Sequence, residues 1–314
     1  MDRCVRGRRW YARGVTAIAT AAEIDAVRAG LLSWYAAEKR DFPWRGTTDP
    51  YAVLVSEVML QQTQASRVAD RFDTFLARFP TADALATAAP AAVLAEWSGL
   101  GYNRRALALQ RAAAAVATSG WPTDVEGLER LPGVGPYTAR AIASLAFGQP
   151  VGVVDTNVRR WLLRRFGGPD ERRRLQSLAD ALAGGGHGGE VPAWTHATME
   201  LGAAVCRARS PRCEACPIAE GCPSRGAAAS VPVPRHAPLR GSDRAYRGAL
   251  VRQLSAAPGH ALVERAARAG LAEDIGPALD DDGWERIVAA LERDGLSHRR
   301  RGQLRLGRPH TIRA

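Results

Sequence analysis

Residues 131–147 read LPGVGPYTARAIASLAF. Gly133 and Gly135 flank one apolar residue in a tight turn, and Pro136 is placed as the first residue of a helix, where its missing N–H costs nothing. Small residues then recur along the helix. A glycine turn running into a helix start leaves backbone N–H groups aimed outward, which is a seat for an anion such as a phosphate. A GVG turn before a helix is also an ordinary connection, and the seat alone decides nothing.

The chain around it is helical. Apolar residues recur at helical spacing in 52–64, 68–79, 91–97, 105–117, 137–147, 158–166, 175–183 and 194–206. Pro and Gly clusters separate them, as in "FP" at 79–80, "GWP" at 120–122 and "GGGHGG" at 184–189. Period-2 alternation is scarce before residue 240, so the fold class is all-α. Residues 226–241, GAAASVPVPRHAPLRG, read as a linker. Beyond it stand helical patterns at 245–255 and 284–294, then LSHRRRGQLRLG, which suits either a basic β-hairpin after a helix, as in a winged helix, or a solvated accessory domain.

With 314 residues and 46% hydrophobic content the chain can bury a real core. It has no apolar run long enough to span a bilayer. Residues 1–22 read as a basic extension without the apolar centre of a secretory signal. The formal charge of +11 and pI near 10.3 favour a polyanionic partner. Lys39 is the one lysine, so 42 of the 43 basic residues are arginine. Their forked guanidinium groups suit phosphates, and amine nucleophiles are almost absent.

Three further stretches carry chemistry. In VLVSEVMLQQTQ (53–64), Glu57 stands among Val53, Leu54, Val55, Val58, Met59 and Leu60. Desolvation there would raise its pKa and make it a general acid. Spacing equally allows a polar stripe with Ser56, Gln61 and Gln64, and on spacing alone the stripe is preferred. In VVDTNVRRWLLRRF (153–166), Asp155 or Thr156 reads first as a helix N-cap. An Asp facing a pocket could also stabilise a cation. In CRARSPRCEACPIAEGC (206–222), Cys206, Cys213, Cys216 and Cys222 lie in one short loop. That density points to a metal group rather than to disulfides. Zinc and an iron–sulfur cluster both accept four thiolates, and the presence of a single CxxC favours the cluster.

Together these stretches resemble the adenine DNA glycosylase (MutY) family of the helix-hairpin-helix, endonuclease III-like superfamily. The likeness runs from about Leu31 to Cys222. It includes FPWR (42–45), SEVMLQQTQ (56–64), GLGY (99–102), LPGVGPYTARAI (131–142), VDTNVRR (154–160) and MELGAAVC (199–206).

The resemblance implies a bilobal all-helical domain over 23–225, with a helical barrel at 50–154 and a lobe of 23–49 plus 155–225 holding a [4Fe–4S] cluster on the four cysteines. Residues 242–314 would follow the linker as a short C-terminal domain. It implies base-excision repair without strand incision: hydrolysis of the glycosidic bond of adenine mispaired with 8-oxoguanine or guanine in double-stranded DNA. Glu57 would protonate the adenine, Asp155 would stabilise the oxocarbenium-like sugar, and Asn157 would orient these groups. Tyr137 stands where strand-cleaving relatives carry a lysine.

Gly133 and Gly135 would meet the DNA backbone. Gln62 would wedge into the stack, Tyr102 would insert beside the base opposite adenine, and Arg45 and His196 would contact the extruded base. His196 departs from the usual Gln or Glu, and Asn103 replaces a common second tyrosine. The residues after the linker are too few for the Nudix-like domain with which many members read 8-oxoguanine. The implied protein is a cytoplasmic, nucleoid-associated monomer. Two other readings share the scaffold or the loop: a thymine-mismatch or oxidised-pyrimidine glycosylase, and an iron–sulfur DNA-binding regulator.

Overall fold

Caps and prolines set most helix starts. The computed structural model describes residues 19–186, 190–226, 241–275 and 278–309. Thr20 opens α1 (Ala21–Glu38) with a capping box, its hydroxyl accepting from Glu23 N while the Glu23 carboxylate accepts from Thr20 N. Next come α2 (Pro50–Leu60), α3 (Ala65–Arg78), α4 (Ala82–Thr87), α5 (Pro90–Glu96), α6 (Arg104–Ser119) and α7 (Val125–Glu129). They are followed by α8 (Pro136–Leu145), α9 (Thr156–Phe166), α10 (Arg172–Ala183) and α11 (Glu190–Glu200). Pro136 is the first residue of α8, as the glycine turn predicts. A π-helical turn at Leu201–Val205 delivers the chain from α11 into the cysteine loop.

The chain divides into two compact units. One takes the residues up to Val53, Pro122–Arg130 and the chain from Val134 through the cysteine loop. Its core gathers Leu31 and Tyr35 of α1, Trp161 and Leu162 of α9, Leu178 and Leu182 of α10, and Trp194 and Leu201, with Cys206 and Cys216 packed at its edge. The other takes Leu54–Trp121, Leu131–Gly133 and the C-terminal segment. There Phe75 meets Phe79 and Trp97 edge-on, with ring centroids 5.1 and 5.9 Å apart.

The C-terminal segment forms α12 (Asp243–Ala256), β1 (Ala261–Val263), α13 (Glu264–Ile275), α14 (Asp281–Arg293), β2 (Ser297–Arg300) and β3 (Gln303–Leu306). The expected hairpin is present: β2 and β3 pair antiparallel with Arg299 opposite Leu304. β1 and α13 carry no pattern that the sequence reading picked out. β1 completes a sheet in the order β1-β3-β2, with Leu262 opposite Leu304. This is winged-helix connectivity. Residues 1–18 of the basic extension, and 227–240 of the linker, lie outside the described residues.

Candidate active site

Glu57 sits on α2, and the polar-stripe reading fails. Both Glu57 (3% exposed) and Ser56 (2%) are buried, as are Leu54, Val55, Val58 and Met59. The helix is also shorter than its apolar pattern suggests. It ends at Leu60, and Gln62 turns to φ +56°. A non-glycine residue in this region costs about 1–3 kcal/mol and persists only where its surroundings enforce it.

Arg105 of α6 does the enforcing. Its Nη1 donates to the carbonyls of Val58 (2.7 Å), Met59 (3.0 Å) and Gln61 (2.6 Å). Its Nη2 donates to Thr63 Oγ1 (3.0 Å) and to the carbonyls of Leu100 (3.2 Å) and Gly101 (3.0 Å). One guanidinium thus binds the end of α2 and the Gln62 turn to the GLGY turn, and burial lowers its pKa to about 10. Tyr102 in that second turn has φ +47° and is 41% exposed. The two residues expected to enter the DNA stack therefore stand on neighbouring strained turns braced by one arginine. Sequence reasoning missed Arg105, which has no local signal among 42 arginines.

In the same unit Gly133 has φ +79°, and a Cβ there would lie 2.6 Å from that of Ala108. Only glycine fits this turn. Across the unit boundary, Gly135 caps α8, and Tyr137 follows as its second residue, half-buried.

Asp155 lies in the other unit and is an N-cap, as its position predicts. Its Oδ1 accepts from Asn157 N (2.8 Å) and Val158 N (2.6 Å), and its Oδ2 accepts from Asn157 Nδ2 (2.8 Å). Burial pushes its pKa up, opposed by these three bonds and by the Arg160 cation. Arg160 extends the chain of contacts, donating to Asn157 Oδ1 (2.9 Å), Gly202 O (2.6 Å) and Cys206 O (2.8 Å). Gly202 permits the approach, since a Cβ there would lie 2.7 Å from Asn157 O.

Arg45 and His196 also come together here. Glu200, 1% exposed, forms ion pairs with Arg45 and Arg40. Arg45 lies over the Tyr35 ring at 5.4 Å, and His196 stacks on the same residue with centroids 6.5 Å apart. Arg45 Nε is buried without a hydrogen-bond partner. Burial, then the Arg45 cation, lowers the His196 pKa to about 4, which leaves the ring neutral. Glu200, within MELGAAVC, is a second residue whose role has no local signal in the sequence.

The four cysteines line one cavity with Arg164, Val205, Pro211 and Arg212. Burial raises the Cys216 thiol pKa, and the nearby Cys206, Cys222 and Cys213 push the same way. Arg164 Nη1 reaches Cys206 Sγ at 3.5 Å and donates to Arg207 O (2.7 Å), and its Nη2 donates to Ala208 O (2.9 Å). Among the described residues no three His, Cys, Asp or Glu side chains are drawn tightly enough for one ion. Four thiols around one cavity suit a thiolate-bound group, such as an iron–sulfur cluster.

Residues 55–183 match the model of the HhH-GPD superfamily base excision DNA repair protein. Residues 206–222 match the iron-sulfur binding domain of endonuclease III. The chain is 45% identical over 240 residues to the adenine DNA glycosylase of Mycobacterium tuberculosis, covering 72% of this chain and 78% of that one. It is 44% identical over 222 residues to the human adenine DNA glycosylase, covering 65% and 40%. A solved thermostable thymine-DNA glycosylase is similar at a TM-score of 0.61 and 30% identity, covering 66% of this chain and 98% of that one.

Proposed function

The chain belongs to the adenine DNA glycosylase family, and from that premise we propose which residues carry out its reaction and on which mispair. It is a base-excision-repair enzyme that removes adenine from DNA, with a [4Fe–4S] cluster as its cofactor. Cys206, Cys213, Cys216 and Cys222 hold the cluster, which supplies bracing for a DNA-facing loop. The thymine-DNA glycosylase shares the scaffold at lower identity than the adenine enzymes.

The burial of Glu57 carries the proposal: its carboxyl, 3% exposed, is withdrawn from bulk water. Protonated, it gives its proton to a ring nitrogen of the extruded adenine, which makes the base a competent leaving group. As the glycosidic bond breaks, positive charge spreads over the sugar. Asp155, aligned by Asn157, stabilises it as a carboxylate. Water then adds to the sugar carbon and gives its proton to the Glu57 carboxylate, which restores the acid. Arg45 Nε is a buried donor without a partner and is suited to the extruded base, beside neutral His196.

Gly133, Gly135 and the start of α8 grip the backbone, while Gln62 and Tyr102 enter the stack, a base stacked on the Tyr102 ring contributing about 1–3 kcal/mol. Tyr137 in place of a lysine leaves the strand uncut. The substrate is double-stranded DNA with adenine opposite 8-oxoguanine or guanine, and the working form is a cytoplasmic monomer. Among the described residues no helix is long and apolar enough to cross a membrane.

Glu57→Gln tests the reading. It is expected to bind duplex containing A opposite 8-oxoguanine and release no adenine, whereas release at the wild-type rate overturns the assignment. In the wild type, strand breaks should appear only after alkali.

A further inference from the structure

Tyr102 is held from two sides. Arg105 lies over its ring at 5.5 Å, fixed in place by the carbonyls of both turns. From the C-terminal domain Arg244, the second residue of α12, comes over the ring at 5.9 Å and donates from Nη1 to Tyr102 Oη at 3.3 Å. Neither Tyr102 nor Arg244 is buried, so burial does not hold this contact in place. Asp294, just past α14, does so by pairing with Arg247 of α12 and, at 3.7 Å, with Arg104, two residues beyond Tyr102.

The start of the domain's later helix argues against the usual use of a winged helix. In that use the later helix enters the major groove N-terminus first. Here α14 begins at the exposed run Asp280, Asp281 and Asp282, which phosphates repel. Arg299 in the wing strand is committed to Glu264 and Glu285. Toward the turn that carries Tyr102 the domain presents Arg244.

We propose that Arg244 is a positioning residue for Tyr102, through which the C-terminal domain sets how sharply the enzyme discriminates the base opposite the adenine. The inference rests on the reading of Tyr102 as the residue inserted beside that base. A rigid, correctly pitched ring stacks differently on 8-oxoguanine and on guanine; a loose ring distinguishes them less.

The test uses the full-length, cluster-containing protein and single-turnover adenine release from A:8-oxoguanine and A:G duplexes. An exposed cation–π contact corresponds to a factor of about two to five. Arg244→Met is expected to lower the ratio of the two rates by about that factor, with Arg244→Lys restoring part of it. In a Tyr102→Leu background, Arg244→Met should change nothing further. An unchanged ratio in Arg244→Met, or equal losses on both duplexes together with a lowered melting temperature, overturns the proposal. A wild-type ratio in Tyr102→Leu would instead overturn the underlying reading of Tyr102.

Discussion

Asn157 is clamped between Asp155 and Arg160: its Nδ2 donates to Asp155 Oδ2 at 2.8 Å, and its Oδ1 accepts from Arg160 Nη2 at 2.9 Å. The clamp favours the carboxylate form of a residue whose burial favours the acid. Removing it leaves burial less opposed, so Asp155 holds its proton to higher pH. If the reaction needs Asp155 ionised, its rate rises as this group deprotonates. Asn157→Ala should therefore move the acid limb of the pH–rate profile upward. A hydrogen bond to a charged group is worth about 1.5–3 kcal/mol, so the neutral-pH rate should fall about 10- to 100-fold. A lowered rate with an unmoved limb would limit Asn157 to a packing role.

Asp155 should also show a conflict between stability and activity. Its folded pKa lies above the ordinary value, so stability falls as pH rises from the unfolded value through the folded one. Asp155→Asn keeps an N-cap acceptor for Asn157 N and Val158 N and removes the buried charge. It should melt no lower than wild type at neutral pH while releasing no adenine. Asp155→Ala loses the cap as well, at a cost of about 1 kcal/mol, and should melt about 2–4 °C lower than Asp155→Asn. Equal melting temperatures for the two variants would show that the cap contributes nothing.

Arg105 serves two turns at once, so replacing it should loosen both. Arg105→Met removes the Arg105 donor from the carbonyls of Val58, Met59 and Gln61. Each unsatisfied buried group costs about 1–3 kcal/mol, and part of that cost is recovered by water. A net loss of about 2–4 kcal/mol in chemical denaturation is expected. Limited proteolysis should open near Gln62 and Tyr102 first. Unchanged protection there would separate Arg105 from the turns.

These residues also mark where sequence stops being informative. The glycine turn, the Asp155 cap and the cysteine loop are local, and their spacing alone exposes them. Glu57 is different: Ser56, Gln61 and Gln64 mimic a polar face, and only tertiary packing shows that Ser56 and Glu57 are both inside. The early end of α2 depends on Arg105, more than 40 residues away in the chain. β1 has three residues and exists because β3 pairs with it. The pairing of Glu200 with Arg45 spans 155 positions, so no local pattern announces it.

His196 provides the last test. Its folded pKa is about 4, against an ordinary 6.5, chiefly because of burial and then the Arg45 cation. The unfolded chain therefore binds a proton between those values that the folded chain refuses, and stability must fall as pH falls through that window. Between pH 7 and pH 5 this amounts to about 2 kcal/mol, or about 4–8 °C in melting temperature. His196→Gln has no such proton to refuse, so it should lose less stability than wild type over the same interval, with cluster absorbance monitored to confirm that the loop stays loaded. It should also retain adenine release, since Gln can meet the extruded base as a neutral partner. Parallel losses of melting temperature in the two proteins would mean that His196 is protonated in the folded state, with Glu200 outweighing Arg45 beside it.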